Sequence, residues 1–161
     1  MMTASRAPTD AERIAVAGAI ARLSLHGDWG EWALVEDGLA PMVDTDYVSL
    51  LGGEPATQTA AQVVAGYRQL LPGFDAVQHL VITMDIAMLD DARATAISYV
   101  RATHRLGERL WVCGGEYQHG MALHGGRWRA RSIRFVLAYE EGDRAIVAAA
   151  AERASAGSAS R

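Results

Sequence analysis

The sequence predicts an α+β domain in which helices come first and a curved antiparallel sheet follows, covered by those helices on one face. Three observations lead there. Capping boxes open helical stretches in the first half of the chain, four long strand-like segments fill the second half, and short turns separate those segments. Short turns join antiparallel neighbours, because a parallel crossover needs about a dozen residues or more. A long, bent meander under helices makes a cone, and the mouth of a cone is a natural ligand site.

Residues 1–8 read as a flexible arm. Thr9-Asp10-Ala11-Glu12 has the form of a capping box, and Ile14, Ala17, Ile20 and Leu23 follow at helical spacing. Gly27 weakens that helix near its end. A short second helix is expected from Gly30 to Asp37, stopped by Gly38. Asp46-Tyr47-Val48-Ser49-Leu50 reads as a strand and Gly52-Gly53-Glu54-Pro55 as a turn. Thr59-Ala60-Ala61-Gln62 is a second capping box, opening a helix that carries Val63, Val64, Tyr67, Leu70 and Leu71 before Pro72-Gly73.

Four strands are then expected at Val77–Leu89, Arg93–His104, Arg109–Leu123 and Arg127–Tyr139. Asp143 is placed to cap a final alanine-rich helix to about Arg153, and residues 154–161 read as a disordered tail. No repeat or linker divides residues 9–153, so they form one domain.

At 161 residues, half of them hydrophobic, the chain can bury a core without disulfide or metal staples. Its single cysteine, Cys113, cannot form an internal bridge and reads as a small buried hydrophobe. A net charge of −4 argues against a nucleic-acid partner. Arg127, Arg129, Arg131 and Arg134 do cluster, but alternation along a strand sends them to both faces. No stretch has the length and apolarity of a membrane span, and the first apolar run is interrupted by Arg22, unlike a secretory signal. A cytoplasmic protein is expected, and the apolar meander strands suggest a homodimer.

Nucleophile elbows, phosphate loops, dinucleotide fingerprints and zinc motifs are all missing from the sequence. That leaves isolated polar residues near the cone. Asp28 lies where the first helix ends, and His79 opens the first long strand. Each alone has an ordinary structural use, as a cap or as a satisfied polar residue. His119 and His124 are too far apart on a strand and turn to make a metal motif, so no metal is expected.

The chain resembles the SnoaL-like domain of the nuclear-transport-factor-2-like superfamily over about residues 10–143. The resemblance rests on Arg13 through Arg22 to Asp28, Glu31-Trp32, Leu39-Ala40-Pro41, His79, Trp111, Gly114-Gly115-Glu116-Tyr117 and Gly126-Arg127-Trp128-Arg129. It implies the α+β cone. It also implies that Asp28 and His79 form the aspartate–histidine pair of dehydratase-like and dehydrohalogenase-like members, with His104 as a second candidate histidine. Many members carry an aspartate near the place of His119. Several carry an arginine at the place of Ile133, for which Arg131 is a substitute.

A histidine that titrates near neutral pH can both take and give a proton, and an aspartate on its other ring nitrogen fixes the tautomer. The expected function is therefore dehydration, isomerisation or cyclisation of an apolar small molecule without a cofactor. Tyr47, Tyr67 or Tyr99 would polarise a substrate oxygen, and Trp29, Trp32, Phe74, Met84 and Trp111 are candidate wall residues. The alternatives are a non-catalytic binding or assembly module, and an epoxide-opening enzyme drawing on Glu116 or Asp85.

Overall fold

Thr9 caps the first helix as its sequence requires. The Thr9 side chain accepts from the Glu12 backbone N–H, and the Glu12 carboxylate accepts from the Thr9 N–H at 2.8 Å. In the computed structural model, which describes residues 5–159, this helix is α1 (Asp10–Trp29). It runs through Gly27 and stops at Gly30, whose φ of 70° is the left-handed conformation that glycine adopts without a Cβ penalty. Asp28 therefore stands in the last turn of α1.

There follow α2 (Trp32–Asp37), β1 (Leu39–Asp46), α3 (Val48–Leu51), β2 (Ala56–Thr59), α4 (Ala60–Arg68) and a tight turn (Leu71–Gly73). The long strands are β3 (Ala76–Met88), β4 (Arg93–Leu106), β5 (Arg109–His124) and β6 (Arg127–Gly142), and α5 (Ile146–Ala159) closes the chain.

One strand sits elsewhere than expected. Asp46–Leu50 is not a strand: the strand precedes it, and Val48–Leu51 is a helical turn. The Asp46 side chain accepts from the Val48 backbone N–H at 3.1 Å, an Asx turn that ends the strand there. Pro41 hides β1 in the sequence because proline breaks a ladder. In the structure it falls between Leu39 and Asp44, where pairing with β6 is interrupted.

The sheet has six strands in the order β2-β1-β6-β5-β4-β3. The expected meander is the antiparallel run β3-β4-β5-β6. β1 adds to it in parallel with β6, and β2 pairs antiparallel at the edge, so the full sheet is mixed. Register shifts in β3/β4 and in β5/β6 bend the long strands.

Alternation along β4 is sharp. Ala94, Ala96, Ser98, Val100, Ala102 and His104 are buried, and the residues between them face out. The buried side packs on α1, α2 and α4 in one cluster around Val16, Ile20, Val35 and Val43, and on α5 in a second around Phe74, Phe135 and Ile146. The last helix continues past Arg153 to Ala159; residues 1–4 of the expected arm and 160–161 of the expected tail lie outside the described residues. Within the expected arm, Arg6 pairs its backbone with Met88.

Candidate active site

α1 and β3 bring Asp28 and His79 together across 51 positions of sequence. Asp28 Oδ1 is 2.5 Å from His79 Nδ1, and Asp28 Oδ2 accepts from the His79 backbone N–H at 2.7 Å. Both side chains are largely buried, 9% exposed for Asp28 and 15% for His79. A carboxylate accepts only, so the ring nitrogen facing it carries a proton. Nε2 is then the nitrogen that can take a proton from a bound molecule.

His79 lines a cavity of about 150 Å³ between the helices and the inner face of the sheet. The walls come from Leu23, Ser24 and Gly27 of α1, from Leu50, Leu51, Leu70 and Leu71, and from Trp111, Cys113 and Phe135 on the sheet. Among the described residues no Asp, Glu, Lys or Arg lines it. Asp28 stands behind His79, in the wall of a separate surface depression.

His104 lies one strand from His79, with its ring edge-on at 5.7 Å between centroids and 88° between planes. Trp111 and Phe74 pack against it at 4.6 Å and 4.9 Å. Burial, and then the neighbouring His79, push its pKa down to about 4, so His104 is a neutral imidazole at physiological pH.

Tyr47 and Tyr67 share a hydrogen bond of 2.8 Å between their hydroxyls, and both line the cavity. The Tyr117 ring meets Tyr47 edge-on at 6.5 Å. Burial raises the pKa of all three, so they are phenols and not phenolates. The Tyr47 hydroxyl is shared with both Tyr67 and Tyr117, and three hydroxyls joined by two bonds leave one proton over. Burial also lifts the Cys113 thiol to about 11, which makes it unreactive.

The sequence-predicted residues therefore divide. His79, His104, Tyr47, Tyr67 and Trp111 line the cavity, with Asp28 bonded to His79 and Phe74 packed on His104. Four others do not reach it. Tyr99 has the outward parity of β4 and is 59% exposed. Arg131 falls in the register shift of β6 and is exposed, while Ile133 beyond it points inward. Trp29 ends α1 facing solvent, and Trp32 packs against the helical core. The side chain of Met84 is outside the described residues. Glu116 pairs with outward-facing Tyr99, and Asp85 is exposed; neither lines the cavity.

The cavity also contains Tyr117 and His119, which sequence reasoning did not assign to it. The signal was parity: both share the inward face of β5 with Trp111. Among the described residues no group of three or more His, Cys, Asp or Glu is arranged to hold a metal, and no helix is long and apolar enough to cross a membrane.

A model of the SnoaL-like domain matches residues 10–134. The chain belongs to the SnoaL-like family. Its fold is the nuclear-transport-factor-2-like cone, as structural comparison also shows. This SnoaL-like chain is similar to the Kfla4162 protein of Kribbella flavida, with 22% identity, a TM-score of 0.74, and 91% of this chain and 98% of that one covered. It is similar to a proposed scytalone dehydratase of Novosphingobium aromaticivorans, with 16% identity, a TM-score of 0.71, and coverage of 83% and 89%. It is also similar to the hexachlorocyclohexane dehydrochlorinase LinA-type3 of Novosphingobium barchaimii, with 14% identity, a TM-score of 0.63, and coverage of 84% and 95%. No curated protein matches the sequence. The family and these neighbours mark the SnoaL-like chain as a small-molecule enzyme or binding fold.

Proposed function

We propose that this SnoaL-like protein is a cofactor-independent lyase, isomerase or cyclase in which His79, positioned by Asp28, moves a proton on an apolar small molecule. The observation that carries the reading is the two-point grip of Asp28 on His79 at the wall of an apolar cavity.

In a dehydration, His79 Nε2 takes the proton from a carbon beside a carbonyl. The electron pair moves onto the carbonyl oxygen, which accepts a hydrogen bond from the remaining hydroxyl proton of the Tyr47, Tyr67 and Tyr117 cluster. Asp28 stabilises the imidazolium so formed. The pair then returns to form the carbon–carbon double bond, the hydroxyl leaves, and the proton on His79 converts it to water. In an isomerisation the same proton goes back to a different carbon. A positioned base of this kind contributes about 10²–10⁴-fold in rate. His104 serves as a neutral hydrogen-bonding neighbour.

Product analysis tests the reading. β-Hydroxy and β-halo cyclic ketones, incubated with the protein and no added cofactor, are expected to lose water or hydrogen halide. A pure binding module would bind such compounds and return them unchanged, with or without His79. Ring opening of epoxides with uptake of labelled water would favour the hydrolase reading instead.

We also propose a homodimer through the outer sheet face, where Leu80, Ile82, Ile97 and Tyr99 are exposed on adjacent strands. Light scattering at micromolar concentration should give twice the chain mass, and a monomer would contradict it.

A further inference from the structure

His119 is a polar group that neither the dyad nor the tyrosine pair explains. It is 5% exposed, and its Nδ1 is buried without a hydrogen-bond partner. Buried polar atoms in native proteins are nearly always paired, because an unpaired one forfeits its hydration for nothing. His119 lines the same cavity as His79, with its ring 5.3 Å from that of Tyr117. In the register of β4, His79 is level with Ala102, Tyr117 with Ser98 and His119 with Ala96. Tyr117 thus stands between the two histidines along the sheet.

The electrical character of the cavity narrows what His119 meets. Burial pushes its pKa down to about 4, so at neutral pH one ring nitrogen donates and the other accepts. No charged side chain lines this cavity among the described residues, whereas the outer cleft that His119 also borders carries Asp44, Asp46 and Arg134. A carboxylate or phosphate would enter without a counter-charge, at a heavy desolvation cost. A space of about 150 Å³ suits a molecule on the scale of a single ring.

We propose that His119 is a substrate-binding residue, holding a hydroxyl or carbonyl oxygen of a compact, uncharged ring compound on the far side of Tyr117 from His79. The proposal deepens the reading above and rests on it for the identity of the site, but it needs no catalysis to be tested.

Phenol, toluene and benzoate serve as probes, titrated into the full chain by calorimetry and followed through the ring nitrogens of labelled histidine. Phenol is expected to bind about tenfold more tightly than toluene, the worth of one net hydrogen bond. Benzoate should bind more weakly than phenol. Phenol, and not toluene, should shift the His119 ring nitrogens. His119→Phe should erase the preference for phenol while still binding toluene, and His119→Gln should keep part of it. A protein that keeps this preference but leaves cyclic ketones unchanged would fail the dyad reading alone, so a failed dyad and a failed anchor give different results. Unmoved His119 nitrogens, a preference that survives in His119→Phe, benzoate binding as tight as phenol, or no phenol binding at millimolar concentration would each overturn the proposal. If His119→Phe does not fold, the nitrogen shifts in the unaltered protein decide.

Discussion

Asp28 holds His79 at two points, with Oδ1 2.5 Å from the ring Nδ1 and Oδ2 2.7 Å from the backbone nitrogen. One contact sets the start of β3 against the end of α1. The other sets the tautomer and orientation of the ring. Because one carboxylate does both, position and proton are coupled, and a substitution that disturbs either disturbs the other.

Asparagine at position 28 tests that coupling. It has one accepting oxygen where the aspartate has two. If the oxygen keeps the backbone N–H, the amide donates to the ring and drives the ring proton to Nε2, which removes the base. Asp28→Asn should lower kcat by about 10²–10⁴-fold with the fold intact. Nitrogen NMR of His79 should show the exchanged tautomer. An unchanged kcat would dissociate Asp28 from the chemistry.

The tyrosine pair makes a separable contribution. Tyr47→Phe removes one hydroxyl of a 2.8 Å bond and leaves that of Tyr67 buried without it. The loss should be about 1 kcal/mol in stability and about 10²–10³-fold in kcat if the pair stabilises a developing oxyanion. Tyr99→Phe should change neither, since Tyr99 is on the outer face. Urea unfolding and steady-state kinetics measure both.

Stability should depend on pH through His104 and His119. In the folded protein both titrate near 4, chiefly because burial disfavours the charged ring. In the unfolded chain a histidine takes its proton near pH 6.5. Between about 6.5 and about 4 the unfolded state therefore binds more protons, so stability falls as pH falls through that window. Their contribution is fully present above about pH 6.5. Urea midpoints measured from pH 7.5 down to 4.5 should decline, and His119→Phe should flatten part of the decline. A flat series would mean that these rings are protonated in the fold.

Much of this was legible in the chain. The two capping boxes mark their helices because their chemistry is local: a hydroxyl, a carboxylate or amide, and the backbone between them. The long strands are legible from turn chemistry at Asp90-Asp91, Gly107 and Gly125-Gly126. β1 was not legible, because Pro41 interrupts its pattern and its partners lie far away in sequence.

Within the site, Asp28 and His79 were nameable only through family resemblance, since nothing local links two residues that meet across tertiary packing. One misplaced residue, Arg131, has a specific cause. A single-residue shift in β6 reverses which side chains face inward, moving Arg131 out and Ile133 in. The unpartnered nitrogen of His119 is a property of packing alone and leaves no trace in the sequence.

The central claim is that His79 is a general base for a carbon-bound proton. Hydrogen–deuterium exchange at the α-carbon of cyclohexanone or cyclohexenone in deuterium oxide tests it most directly, because it reads proton removal without requiring the natural substrate. The unaltered protein should accelerate exchange, and His79→Ala, folded to the same circular dichroism spectrum, should return it to the buffer rate. Exchange that proceeds equally fast in His79→Ala would contradict the account.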